Sequence, residues 1–528
     1  MAAEPSIRFV QQGTEAGLHG KLVCGGPQKK WIPEANGSGC AALDYDADGH
    51  LDLLVVNGST MERLVRIVAG EVPEVTPGGV FLYRNKGAGR FEDKTEAAGL
   101  FNPYWGTGAN AADYDGDGRT DILITTIGVD LLFRNNGDGT FTETGAKAGL
   151  IRRVSWHTGS TFGDYDGDGD LDLYIAGYVD PRSMPWRGEA PACDYRGLRV
   201  FCGPIDLKGE ADILYRNNGD GTYTPVTRQA GVEEREPRYG FTSVFEDFNQ
   251  DGKPDIFVAN DSGANYLYLN DGNGRFEESA LASGLAYNSD GRPMANMGVA
   301  VGDYDNDGDL DLLTTTFSED YFPLFAQTSP GFFEEASARA GLALPTIPYL
   351  GWACGFADFD NDGLRELWLA NGHVYPTAAN LSTTTYQQPF VVLANRSGRF
   401  VPAHTGPKDS YRGGVAGDFN NDGRIDAVLL PIAGTPVLME NRSGNSNQWI
   451  GLSLPDAPGT QVRLRACGKQ QFATLRNGGS YLSRDDPRIH FGLGRCPEVD
   501  QVSIRWPNGK GRELRALKPG QYVTVLLN

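Results

Sequence analysis

Short apolar runs recur along the chain, each preceded by acids and glycines and followed by a polar turn. Leu51-Asp52-Leu53-Leu54-Val55-Val56 is one such run and Leu173-Tyr174-Ile175-Ala176 another. Runs this short, bounded by turn signals and rich in branched and aromatic residues, predict buried strands. A hairpin pattern follows: Leu132-Phe133-Arg134-Asn135-Asn136-Gly137-Asp138-Gly139-Thr140-Phe141 is echoed by Leu214-Tyr215-Arg216-Asn217-Asn218-Gly219-Asp220-Gly221-Thr222-Tyr223. Their Asn-Gly and Asp-Gly pairs supply the positive-φ positions of tight hairpin turns. A glycine-rich strand enters each unit, and a tail such as Ala146-Lys147-Ala148-Gly149-Leu150 closes it. Four strands per unit, repeated seven times, predict an all-β chain built as a seven-bladed β-propeller.

One loop pattern joins the first two strands of every unit. Its fullest copy is Asp164-Tyr165-Asp166-Gly167-Asp168-Gly169-Asp170-Leu171-Asp172, with carboxylates at loop positions 1, 3, 5 and 9 and glycine at position 6. Such a set suits calcium, which takes about six to eight oxygen ligands in a flexible loop that a glycine lets turn sharply. An EF-hand would continue to a glutamate at position 12 and lie between helices; here position 9 is the last acid and a strand follows. The predicted ligands are Asp44, Asp46, Asp48 and Asp52; Asp113, Asp115, Asp117 and Asp121; and Asp164, Asp166, Asp168 and Asp172. The later copies give Asp247, Asn249, Asp251 and Asp255; Asp303, Asp305, Asp307 and Asp311; Asp358, Asp360, Asp362 and Glu366; and Asp418, Asn420, Asp422 and Asp426. A lone copy reads as a polar turn. Seven in register predict up to seven structural Ca²⁺ ions, without which each loop would crowd three or four mutually repelling carboxylates.

The ring also predicts its own closure. Ile7-Arg8-Phe9 with Thr14-Glu15-Ala16-Gly17-Leu18 matches the tail Arg90-Phe91 with Thr95–Leu100, whereas the last repeat ends at Val437-Leu438-Met439-Glu440-Asn441 without one. The N-terminal strand therefore completes the seventh blade and removes an open edge. Insertions fall at Met61–Gly79 and Pro181–Gly209. From about Asn445 the loops stop and short alternating strands begin, so the chain divides into a propeller over 1–444 and a small β-sandwich or barrel over 445–528. Its strands are expected at Trp449–Leu454, Gln461–Ala466, Gln470–Leu475, Ile489–Leu493, Val499–Trp506 and Tyr522–Leu527.

Charge fits this picture. The formal net charge is −21, from 47 Lys and Arg against 68 Asp and Glu, and 26 carboxylates sit at the loop ligand positions. Seven divalent ions would offset about two thirds of that excess. The acidity is thus a metal signature and argues against nucleic-acid binding. No apolar run approaches the roughly 20 residues of a membrane span, and no signal peptide is visible. Loops of this kind fill at extracellular calcium levels, which predicts a mature, exported monomer in an extracellular or periplasmic compartment. Among the seven cysteines, Cys193 and Cys202 predict a disulfide stapling the second insertion. Cys24 with Cys40, and Cys467 with Cys496, are further candidate pairs, leaving Cys354 buried and free.

If the calcium loops share one rim, the starts of the first strands and ends of the second share the other. Small residues line the inner strands, as a crowded central channel requires: Gly39, Gly108, Gly159, Thr242, Gly298, Ala353 and Gly413. Around the mouth, Trp105, Trp156, Tyr239, Asn296, Trp352, Asp261 and His373 are the candidate ligand-contacting residues, and Asp320 lies at the same level. An aromatic ring with a few polar groups is a ligand site by default. Packing between blades is the competing reading for each aromatic, and a turn residue for His373. No GxSxG elbow, HExxH pair, P-loop or strand-following GxGxxG occurs.

Two motifs carry a family resemblance. The repeats resemble the FG-GAP (VCBS) repeats of integrin-α-like propellers. The tail, with Asn477-Gly478-Gly479-Ser480-Tyr481-Leu482-Ser483, His490-Phe491-Gly492-Leu493-Gly494 and Val502-Ser503-Ile504-Arg505-Trp506-Pro507-Asn508-Gly509, resembles an ASPIC/UnbV domain. Together they resemble the cartilage acidic protein family. The resemblance implies a calcium-loaded propeller with a C-terminal domain, matrix association in animals, and, in some relatives, cofactor-free cyclisation of polyunsaturated or polyketide substrates. Leu364-Arg365-Glu366 departs from the repeat, which puts the Asp358 loop in doubt. Two functions follow as expectations. One is a scaffold whose rim opposite the calcium loops binds a glycan, a protein or an apolar small molecule. The other is a cyclase or isomerase on that rim, with His157, Arg412 or Tyr411 donating to a carbonyl that gains negative charge.

Overall fold

The computed structural model of the chain describes residues 7–186, 188–381 and 383–526. Antiparallel four-stranded blades follow one another, starting with Cys40–Leu43, Asp52–Val56, Val80–Asn85 and Phe91–Asp93 as blade 1; blades 2 and 3 join in one eight-stranded sheet where Ser155 and Trp156 pair with Gly128 and Ile127. First strands touch in cyclic order, and Cys40–Leu43 meets both Trp105–Ala112 of blade 2 and Tyr411–Gly417 of blade 7. The ring closes as its sequence predicts: Phe9–Gln12 pairs antiparallel with Val437–Asn441, Phe9 opposite Asn441. Second strands such as Asp52–Val56, Asp121–Gly128 and Asp172–Gly177 are buried at every position. Neighbouring blades cover both their faces, which is why these strands read as continuous apolar runs rather than alternating ones. Leu54 and Val56 of blade 1, for example, pack on Ala109, Ala111, Ile122 and Ile124 of blade 2.

The C-terminal unit is a sandwich of two sheets. Gln448–Ser453 lies between Ile489–Gly494 and, in parallel, Tyr522–Thr524. The second sheet orders Lys469–Thr474, Gln461–Ala466, Val499–Arg505 and Gly511–Leu517. The last of these strands is absent from the sequence-based expectation, because Gly511-Arg-Glu-Leu-Arg is largely exposed and carries little apolar alternation. Ile450, Leu452, Val462, Leu464, Val502 and Ile504 form the core between the sheets.

The connection between Lys469–Thr474 and Ile489–Gly494 leaves this sandwich and runs into the propeller axis. Asn477, Ser480, Tyr481, Leu482, Ser483 and Arg484 are all buried. They bond to the inner strands: Ser480 and Val299 exchange both backbone bonds at 2.7 Å, Ala109 N–H donates to Leu482 O (3.0 Å), and Arg484 N–H donates to Cys40 O (3.0 Å). The small residues of the inner strands make room for this plug. A Cβ on Gly39 would stand 1.7 Å from Leu482 O.

Disulfides join Cys193 to Cys202 and Cys467 to Cys496, while Cys24, Cys40 and Cys354 are free and buried. The candidate pair Cys24–Cys40 is therefore overturned. Cys24 Sγ lies 3.2 Å from Pro33 O, and Cys40 sits in an inner strand beside Ser483 of the plug. Among the described residues no helix is long and apolar enough to cross a membrane.

Candidate metal centres and rim cleft

All seven acidic loops fold alike. In the blade 3 loop, Asp164 Oδ1 accepts from Asp168 N–H (3.1 Å) and Asp164 Oδ2 from Gly169 N–H (3.0 Å). The same two bonds recur at Asp44, Asp113, Asp247, Asp303, Asp358 and Asp418. Position 6 needs its glycine because the backbone there is left-handed, φ 98° at Gly169. Position 4 is left-handed too, occupied by Gly or by Ala47, Gln250, Asn306, Asn361 and Asn421, a requirement that the acidic spacing does not reveal.

The last acid of each loop does a second job. Asp172 Oδ1 accepts from Asn217 N–H (2.8 Å) and Oδ2 from Tyr165 N–H (3.0 Å), while Asn217 Nδ2 donates to Tyr114 O of the preceding blade (2.8 Å). Asn85, Asn135, Asn270, Gln327, Asn395 and Asn441 make the same bridge in the other blades. The hairpin asparagine is therefore an inter-blade rivet. Glu366 holds its place as the last acid, accepting from Phe359 and Asn395 N–H, so the Asp358 loop keeps the common fold despite its departures.

Carboxylate oxygens converge within 4.8 Å of one another at Asp44/Asp46/Asp48, Asp113/Asp115/Asp121, Asp164/Asp166/Asp172, Asp303/Asp305/Asp311 and Asp358/Asp360/Glu366. Asp46, Asp115, Asp305 and Asp360 each have a buried carboxylate oxygen with no hydrogen-bond partner. Burial first, and like charges in addition, push Asp52 up to about 8 and Asp172 to about 9. An oxygen-rich cradle with orphaned acceptors and crowded negative charge fits a hard divalent cation. Bound there, calcium would neutralise the acids and do no covalent chemistry.

The C-terminal unit lies over this rim. Tyr522 OH donates to Asp418 Oδ2 (2.8 Å), Arg488 to Asp418 O (2.8 Å), and His490 Nε2 lies 2.7 Å from Asn361 Oδ1. Asn447 Nδ2 donates to Asp360 O (2.8 Å), and Gly494 N–H to Asn361 O (2.7 Å). As a result Asp358, Asp360, Asn361 and Glu366 are all buried, whereas Asp48, Asp168 and Asp251 of other loops are exposed.

The opposite mouth is closed, contrary to the open ring expected from the sequence. Trp105, Trp156, Trp352, Tyr411 and Arg412 are fully buried. Tyr481 of the plug reaches through the channel to meet Trp352 edge-to-face, ring centroids 4.8 Å apart, and its OH donates to Asn36 O (3.0 Å). Arg412 lies 4.2 Å over Trp352 and spends its N–H groups on Ala35, Gly372, Tyr411 and His373 carbonyls and on Ser410 Oγ. His157 Nδ1 bonds the buried Asp130 carboxylate, and Tyr411 OH donates to Pro407 O (3.3 Å). His373 faces Ser318 Oγ, and burial drives its pKa down to about 3. Asn296 bridges Asn265 and Thr314; Asp261 accepts from Tyr178 OH (2.7 Å); half-buried Tyr239 donates to Leu207 O. Most of these groups are packed and internally bonded, Asp261 and Tyr239 being half-buried, while the buried Trp156 Nε1 and His157 Nε2 have no hydrogen-bond partner. The disulfide-bearing hairpin Ala192–Tyr195/Leu198–Phe201 roofs them, Tyr195 lying 5.7 Å from Phe317 and 5.3 Å from Tyr375.

Concavity on this rim lies instead beside the second insertion. A cleft of about 610 Å³ is lined by Gln28–Trp31, Gly188–Ala192, Arg199–Phe201 and Tyr375–Thr377. Sequence reading missed its floor, since Gln28-Lys29-Lys30-Trp31 carries no motif and meets its partners only through the fold.

Fold and loops together define a propeller of FG-GAP-like repeats carrying a C-terminal ASPIC/UnbV domain. The FG-GAP-like repeat model matches residues 44–124, 113–175 and 247–314, and the ASPIC and UnbV model matches residues 452–527. The chain has homologues named cartilage acidic protein 1: it is 28% identical to the Mus musculus protein over 442 residues, covering 76% of this chain and 61% of that one. It is 26% identical to the Homo sapiens protein over 521 residues, covering 89% and 69%. A solved Agrocybe aegerita lectin, described as recognising non-reducing terminal N-acetylglucosamine, overlaps 75% of this chain and 86% of its own at a TM-score of 0.39 and 16% identity.

Proposed function

We propose that the protein is an exported, calcium-loaded binding scaffold that takes its ligand in the cleft on the rim opposite the calcium loops. One observation carries this reading: the C-terminal unit fills the axis and lies over part of the calcium rim, while on the far rim the second insertion, Gln28–Trp31 and Tyr375–Thr377 line a cleft of about 610 Å³ walled by Trp31, Phe201 and Tyr375. That volume and mix of aromatic and polar lining suit a ligand site. The two disulfides fit an oxidising compartment. A cyclase on the same rim is less supported, since His157, Arg412 and Tyr411 are buried and internal bonds hold His157 Nδ1, Tyr411 OH and the Arg412 guanidinium. The test is a binding panel of glycans, peptides and apolar small molecules on the calcium-loaded protein. Trp31→Ala should weaken any bound member at least tenfold with melting temperature unchanged, and binding indifferent to Trp31 and Phe201 substitutions sinks the reading.

A further inference from the structure

The cleft's charge runs against the rest of the molecule. In a chain of net charge −21, its lining brings together Lys29, Lys30 and Arg199 against the single acid Glu189. Neither Lys30 nor Arg199 has an ion-pair partner among the described residues. Lys29 is only 6% exposed, yet its ammonium donates to one neutral group, Cys24 O at 2.7 Å. The buried Glu34 carboxylate acts on it electrostatically, so Lys29 is the partly compensated member of the set.

The nearest acid is already committed. Buried Glu34 accepts from the backbone N–H groups of Gly26 (2.6 Å), Lys30 (2.7 Å) and Trp31 (2.9 Å). It therefore fixes the strand of chain that presents both lysines and the indole. Trp31 is half-exposed and backed by Trp186, with ring centroids 5.6 Å apart. The cleft thus offers a rigid aromatic face beside Lys30 and Arg199, two cations without an ion-pair partner, one of them a guanidinium able to grip a planar anion through two parallel bonds.

We infer that the ligand combines a flat ring face with a carboxylate, the ring lying on Trp31 and the carboxylate meeting Arg199 and the two lysines. This inference rests on the cleft being the binding site. The shared chemistry belongs to two sources, an acidic sugar and an aromatic carboxylate, and separate probes distinguish them.

The experiment titrates the calcium-loaded protein with tri-galacturonic acid and with 2-naphthoate, each against its neutral methyl ester, by calorimetry at fixed low ionic strength. At least one acid should bind about tenfold more tightly than its ester, and whichever does identifies the source. Arg199→Gln should erase that preference, whereas Trp31→Ala should weaken acid and ester alike. Both variants lie on the cleft surface, and unchanged melting temperatures would show that they fold. Equal affinity for acid and ester, still lost in Trp31→Ala, overturns the carboxylate assignment and leaves the cleft standing. Binding that survives Trp31→Ala, or no binding of any of the four probes, overturns the ring-and-carboxylate assignment. In the latter case the wider panel described above decides whether the cleft itself fails.

Discussion

At the scale of single residues, the last acid of each loop links metal binding to blade assembly. Asp172 is a cation ligand by position and an anchor for Asn217 by geometry, and Asn217 in turn holds the preceding blade. Asn217→Ala should therefore cost about 1–3 kcal/mol, since it leaves the buried Tyr114 and Leu171 carbonyls short of a partner. The exposed Asn218→Ala should cost far less, and paired denaturant melts measure the difference. A pH dependence follows from the same acids. In calcium-free protein their folded pKa values lie above the ordinary carboxylate range, at about 8 for Asp52, Asp121, Asp255 and Asp311 and about 9 for Asp172. A raised folded pKa contributes stability below the unfolded value near 4 and loses it as pH rises towards the folded one. Desalted, metal-free protein should then melt lower at pH 8 than at pH 5.5. Added calcium should stabilise more at pH 8, and thermal melts of both forms at both pH values check the sign.

At the scale of elements, the plug governs the axis. Tyr481→Ala would empty a fully buried site against Trp352 and Phe241, at a cost of about 3–5 kcal/mol. Gly39→Ala should be worse than an ordinary strand substitution, because the added methyl collides with the plug backbone rather than with a yielding side chain. Melts of the two variants, with Gly444→Ala, whose added methyl meets nothing, as a control, test whether the plug is seated. Thiol chemistry gives a second check: titration under denaturing, non-reducing conditions should find three thiols, and the native protein should hide all three.

These elements also mark how far the sequence could be read. Strands, hairpins, acidic loops and the closing N-terminal strand are local patterns with a fixed repeat, so spacing alone exposes them. The plug is different. Asn477–Ser483 is mostly small and polar, with only Tyr481 and Leu482 apolar, and its partners lie at inner-strand positions scattered from Gly39 to Gly414. Nothing local marks it as an axial core. The rim aromatics were legible as a ring but not as a buried one, because an indole suits an open mouth and a packed one equally. Their burial depends on Tyr481 and on the hairpin roof, both remote in sequence. Cys24 and Cys40 mislead for a related reason: proximity along the chain does not aim two thiols at each other.

At the scale of the whole molecule, the two units form one body divided by function. The C-terminal sandwich reaches the blade 6 and blade 7 loops through Tyr522, Arg488, His490 and Asn447, and sends its plug down the axis. An ion in the exposed loops would meet solvent directly, whereas one in the Asp358 loop would lie beneath the sandwich. Ion binding by the folded state alone stabilises it by linkage, so docking of the sandwich and filling of that loop should support each other. Arg488→Ala, which removes bonds to Asp418 and Asn421, should loosen both together.

Native mass spectrometry of the purified protein during timed chelation tests this account most directly. The protein should carry up to seven Ca²⁺ ions, losing most quickly and one far more slowly, with the slow ion released faster in Arg488→Ala. A protein that carries no calcium would contradict the account, and so would ions that all leave at one rate regardless of Arg488.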